Sequence, residues 1–144
     1  MTRACPDTAA LLWPALAIAL AAAAPTLAAD TKPSLRDVPE IEDPLFAIAI
    51  ADEVRDQCPE ISGRVMKGLA MLYQLRSRAN ELGYSDAEIR AYVESKTEKA
   101  RMRAKGEAFV TARGVDLDDP QTFCAFGRAE IAKNSAIGAL LKAN

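Results

Sequence analysis

The chain contains no histidine. That removes imidazole as a general base, as a metal ligand and as a charge that switches near neutral pH. Cysteine is scarce. Cys5, Cys58 and Cys124 are the only three, and no two of them form a C-x-x-C pair. Zinc clusters and thioredoxin-like exchange therefore have no framework. Aromatic residues make up 6% of the chain, and the single tryptophan, Trp13, lies close to the N-terminus. The four phenylalanines and three tyrosines fit helical stripes or stand alone, so no sugar-stacking platform is visible. Neither S-x-x-K nor G-x-S-x-G occurs. A net charge of −2 gives no electrostatic reason to expect a nucleic-acid partner. The chain reads as a non-enzyme with no cofactor and no metal. Its 144 residues allow one domain of ordinary size.

What is present begins with an address. Arg3 precedes the uncharged run Ala9–Ala24, AALLWPALAIALAAAA, and the small residues of Pro25–Ala29 follow. A basic start, an apolar middle and small residues before a cut describe a secretory signal peptide over residues 1–28. The cut is expected after Ala28, with Thr26 and Ala28 as the small flanking residues, and Ala29 is the alternative. An uncleaved anchor is the competing reading, because a span needs only ~20 residues. However, the run is alanine-rich and no basic stop follows it. Cys5 precedes the apolar run, so it is not placed for lipidation and leaves with the leader.

The exported chain then keeps Cys58 and Cys124. An even cysteine count in a small exported domain reads as a disulfide, and only one pairing exists. Two free thiols are the alternative.

Residues 29–43 carry Pro33 and Pro39, with Pro44 just beyond, and read as an extended leader whose Leu35, Val38 and Ile41 pack onto the body. Residues 44–144 read as a single helical domain. Asp43-Pro44 pairs an N-cap residue with a first-position proline, and Phe46, Ile50, Val54 and Cys58 recur four apart before Pro59. Ser62 opens a second helix that turns Val65, Leu69, Leu72, Ala79 and Leu82 inward, with Met66 and Tyr73 alongside, and stops at Gly83. Ser85–Glu88 and Ser95–Glu98 are capping boxes for a third helix, with Ile89, Tyr92 and Val93 inward, and for a fourth ending at Gly114. Asp119-Pro120 starts a fifth helix to Lys133, and Ser135 caps a last short one carrying Ile137, Leu140 and Leu141. No stretch alternates like a strand. The fold class is all-α, a compact bundle of five or six short helices with one disulfide.

Charge is uneven along the chain. Asp30–Glu60 holds nine acids and three bases, whereas Ile61–Arg113 holds eleven bases and six acids. Within the densest basic stretch, Lys96, Lys99 and Arg103 share one helical face, and Arg101 and Lys105 point elsewhere. That face is either a solvated surface or a docking face for an acidic partner or anionic envelope lipid. Arg128 and Glu130 sit in the otherwise apolar fifth helix, and a buried Glu130 would need a partner such as Arg78 or Arg64. These five residues, Lys96, Lys99, Arg103, Arg128 and Glu130, are the candidate binding residues. Asp116, Asp118 and Asp119 open like a calcium loop, but Gln121 and Gly127 stand where glycine and glutamate belong. Gly68, Gly106 and Gly127 fall inside predicted helices and ask for a close crossing or a ligand groove.

Four strings carry a resemblance. They are PSLRDVPEI from Pro33, LGYSDAEI from Leu82, EKARMRA from Glu98, and FCAFGRAEI from Phe123 with Ser135–Gly138 beyond. With them the exported part resembles a bacterial exported family catalogued as domain of unknown function 5333. The resemblance implies an exported helical protein with Cys58 and Cys124 paired. It implies no activity.

Together these features lead to an expected function, a non-catalytic protein-interaction module of the cell envelope in the periplasm. Its protein partner is unidentified, and the chain would meet the membrane only through its leader. A small periplasmic stress chaperone and an inhibitor of an exported hydrolase are the alternatives. A chaperone without histidine would have to respond through its carboxylates, near pH ~4.

Overall fold

The structure, a computed structural model, describes residues 32–144. The expected leader over residues 1–28, with Cys5 and its cut site, lies outside the described residues.

A 3-10 turn, Leu35–Asp37, leads into helix α1, Pro39–Gln57. The helix therefore starts five residues before Asp43-Pro44, and the segment expected to be extended up to residue 43 is already helical from Pro39. Two causes act together. Pro39 supplies the same pre-set first-position geometry as Pro44. Starting early also buries Leu35, Val38 and Ile41 against Ala79 and Tyr84 in a small second core. Pro44 stays inside the helix and deletes only the bond to the Glu40 carbonyl. Glu40 is exposed, so water reaches that carbonyl. The Tyr84 hydroxyl donates to the Pro33 carbonyl at 2.5 Å and ties the entry segment down.

After Cys58 the chain forms strand β1, Ile61–Gly63, before helix α2, Val65–Glu81. Ser62 is thus a strand residue, not a helix start. The partner is strand β2, Leu141–Ala143, antiparallel with Ile61 opposite Ala143 and Gly63 opposite Leu141. Three residues are too few to show an alternating pattern, which is why no strand was expected. The pair is needed because Ile61 and Leu141 are both buried in the main core. The last helix expected after Ser135 is instead a 3-10 turn, Gly138–Leu140, that feeds β2. The N-cap position of that turn is Ile137, not Ser135, although the Ser135 Oγ accepts from the Gly138 N–H at 3.0 Å.

Helix α3, Asp86–Glu94, carries the full Ser85–Glu88 capping box, and helix α4, Lys96–Thr111, follows at once. Ser95 caps α4 through the Glu98 N–H, but the Glu98 carboxylate turns away to Arg101 and Arg36, so this second box is only half formed. Gly83 and Gly114 take left-handed φ values of 90° and 85°, just past α2 and α4. Helix α5, Pro120–Lys133, begins with the Asp119 side chain accepting from the Gln121 N–H. The fold is all-α apart from the two short strands.

The main core gathers the inner face of α1 (Ala47, Ile50, Ala51, Val54), Phe123 and Phe126 of α5, and Ile61, Leu140 and Leu141. Cys58 and Cys124 are bonded at its centre and both are fully buried. Gly127 lets α5 approach, because a Cβ there would stand 2.7 Å from Val54 Cγ1 and 2.5 Å from Ile61 Cδ1. Among the described residues, no helix is long and apolar enough to cross a membrane.

Candidate functional site

The structure divides the basic stretch of α4 into two sets. Arg101 and Lys105 point inward at Glu42, which α1 buries. Arg101 Nη1 stands 2.9 Å and Lys105 Nζ 3.1 Å from Glu42 Oε1, and the Tyr92 hydroxyl donates to Oε2 at 3.0 Å. Arg101 also holds Glu98 at 2.8 Å, and Arg36 closes the set from the entry segment. Burial alone would raise the Glu42 pKa, but its three donors outweigh it and hold the carboxyl below its usual range. Burial beside that carboxylate pushes the Tyr92 phenol up to about 12. All of this is structural, a charge cluster that locks α1, α3 and α4 together. Sequence reasoning missed Glu42 as its hub. The readable signal was the four-residue spacing of Arg101 and Lys105, which places both on one face.

Lys99 and Arg103 face the other way and line a cleft of ≈ 600 Å³ between α1 and α4, with Lys96 exposed but outside its lining. Its floor is Ile50, Gly106, Val110 and Phe123, and Met102 and Leu117 complete the apolar lining. Gly106 matters here, since a Cβ would stand 3.1 Å from Ile50 Cδ1. Ala49, Asp52, Glu53 and Glu107 form the rest of the rim. Asp52 is paired with Arg55 at 2.9 Å, and Glu53 accepts from Gln57 at 2.9 Å. Lys99 and Arg103 have no carboxylate within 4.0 Å among the described residues.

A second surface was expected to be core. In α2, Val65, Met66 and Tyr73 are 64%, 76% and 63% exposed, and Leu69 and Leu72 are exposed as well. Ala79 is the one fully buried residue of the helix, with Met71, Leu75 and, past its end, Leu82 packed at the margin. The predicted inward stripe is therefore largely uncovered. α2 packs on an adjacent face because its N-terminus is held beside β2, where Arg64 Nε donates to the Leu141 carbonyl at 3.0 Å. Val93 of α3 is likewise exposed. Gly68 is half-buried at the edge of this face toward α1, and among the described residues nothing stands within 4 Å of a Cβ placed there.

The fifth-helix candidates separate. Arg128 makes an exposed pair with Glu60 at 2.6 Å. Glu130 is buried, but its partner is Lys133 at 3.2 Å, not Arg64 or Arg78. Arg78 is held by Glu40 and Glu81 instead. Burial raises the Glu130 carboxyl, but Ser135 and Lys133 more than reverse this and leave it below the usual value. In the aspartate-rich loop, Asp116 Oδ1 accepts from the Asp118 N–H and Asp119 Oδ1 from the Gln121 N–H, both at 3.0 Å. These carboxylates serve the turn and the helix start. Among the described residues, no three His, Cys, Asp or Glu side chains converge as a metal site would require.

No curated protein and no solved structure matches this chain. The model of one family covers residues 33–142, from the entry segment through β1 and all five helices into β2. The chain belongs to that family, the family of unknown function DUF5333.

Proposed function

We propose that the protein is a non-catalytic interaction module of the cell envelope, exported to the periplasm, with α2 as its docking helix. The uncovered apolar face of α2 carries this reading. Val65, Met66, Leu69, Leu72 and Tyr73 lie within nine consecutive residues and are all exposed. Contiguous apolar surface of this kind on a small domain marks an interaction site. The charges around it indicate what it meets. Arg76 and Arg78 are already paired with Asp86, Glu40 and Glu81, but Arg64 and Lys67 at the start of the helix have no carboxylate within 4.0 Å among the described residues, so the fitting partner is a protein segment with apolar side chains and an acid beside that end. The apolar leader and the closed cysteine pair support export.

The test is cross-linked affinity capture by the oxidised full chain from native envelope extract, run beside a Leu69→Ser/Tyr73→Ser variant. One dominant partner at near-equal amounts, lost in the variant, is the expected result. Capture of a broad weak set, or capture that the variant leaves unchanged, overturns the reading. Both positions are exposed, so the variant should melt within about 0.5 kcal/mol of the parent.

A further inference from the structure

The α1/α4 cleft is separate from the α2 face and has the character of a small-molecule site. Ligand pockets typically enclose about 300–1,000 Å³ and combine apolar walls with a few placed polar groups. This one is ≈ 600 Å³, with a floor of Ile50, Gly106, Val110 and Phe123. The charges on its rim are not equivalent. Asp52 is neutralised by Arg55, whereas Glu53 is hydrogen-bonded to the uncharged Gln57, which does not neutralise it. Lys99 and Arg103 are both exposed and have no carboxylate within 4.0 Å among the described residues, and their four-residue spacing puts them on one face of α4 about 6 Å apart along its axis. Glu107, one turn further on, is a carboxylate of the same rim, so the cationic part that α4 contributes is its Lys99–Arg103 end. The neighbouring bases Arg101 and Lys105 are engaged by Glu42, so they do not compete for an anion.

We propose that this cleft binds a monomeric anionic amphiphile, with its carboxylate or similar anion held by Lys99 and Arg103 and its apolar body laid over Ile50, Val110 and Phe123. The anion lies at the end of the cleft nearer the start of α4, and the apolar end runs toward Leu117 and Phe123. A cleft between two helices accepts a single chain rather than a bilayer surface. Gly106 keeps the cleft open beside Ile50, because a Cβ there would stand 3.1 Å from Ile50 Cδ1.

Calorimetric titration of the oxidised full chain with dodecanoate, kept below its micelle concentration, tests this. Dodecyltrimethylammonium and dodecyl maltoside serve as probes with the same tail. Dodecanoate should bind with one-to-one stoichiometry and the other two about tenfold or more weaker. Lys99→Glu/Arg103→Glu, on exposed positions, should weaken dodecanoate by about tenfold or more without moving the melting temperature. Ala49→Trp, which enters the cleft from an exposed rim position, should block all three probes. The α2 variant Leu69→Ser/Tyr73→Ser should bind dodecanoate like the parent, which separates this site from the docking face. Equal binding of all three probes, no dodecanoate binding, or affinity unchanged by the double charge reversal overturns the proposal. So does binding to phosphatidylglycerol vesicles with no binding of monomeric dodecanoate.

Discussion

Glu42 shows how a single residue sets the behaviour of its surroundings. It is buried on α1, yet it is kept ionised by Arg101, Lys105 and Tyr92. The Glu88 carboxyl is held lower still, at about 2, by the Ser85 backbone N–H with help from Lys32 and the Ser85 hydroxyl. Glu130 is also lowered. A carboxyl whose folded pKa lies below its unfolded value stabilises the fold above the unfolded value. That contribution disappears as pH falls through the folded value. The ordinary value of these glutamates is 4.5, so the melting temperature should hold level down to that pH and then drop toward about 2. With no histidine, no step should appear between about pH 5 and 8. Tyr92 acts in the opposite sense at the alkaline end. Its raised pKa stabilises the fold below the ordinary value of 10.0, and this is lost as pH climbs to about 12. Thermal melts across pH, with phenolate absorbance for Tyr92, check both limbs. A melting temperature that already falls between pH 7 and 5 would contradict this assignment of charges.

At the scale of elements, helix interiors test the packing through their glycines. Gly127 stands where α5 meets Val54 and Ile61, and Gly68 stands in open space on α2. Gly127→Ala should cost about 1–3 kcal/mol, since backbone or core must shift. Gly68→Ala should instead gain about 0.5–1 kcal/mol from helix propensity. Urea unfolding of the two variants reads the difference in sign, and like-signed effects would mean that one of the two helices packs differently. The same contrast explains what the residues revealed in advance. α5 was legible from Asp119-Pro120 to Lys133, and α3 from its capping box, because local chemistry alone ends and starts those helices. The start of α1 was not, because two prolines offered equivalent entries and the burial of Leu35, Val38 and Ile41 decided between them. Periodicity also found an apolar stripe on α2 but carried no information on whether another element covers it. Of the cleft, Lys99 and Arg103 were legible as one face of α4. Its floor was not, because Ile50, Val110 and Phe123 come from three separate segments.

For the molecule as a whole, the bond between Cys58 and Cys124 joins the end of α1 to α5 across a sequence separation of 66 residues. Closing a loop of that length restrains the unfolded chain by about 4 kcal/mol in the chain-entropy account. A Cys58→Ser/Cys124→Ser variant should lose stability of that order while keeping its helical circular dichroism at low temperature. Loss of all helical signal would mean that the bond is a condition of folding and not only a brace. The pairing was readable from cysteine arithmetic once Cys5 was assigned to the expected leader, because Cys58 and Cys124 then had only each other.

The antiparallel match of Ile61–Gly63 with Leu141–Ala143 also constrains time. The segment made just after Cys58 has no strand partner until Leu141 has been synthesised, and both Ile61 and Leu141 belong to the same buried core. Chain growth at ~5–20 residues per second puts several seconds between the two. Throughout that interval the main-core face of α1 stays uncovered, whereas Leu35, Val38 and Ile41 can already meet Ala79 and Tyr84. The growing chain is therefore half-open: its second core can close early, and its main core closes only when the distant strand arrives.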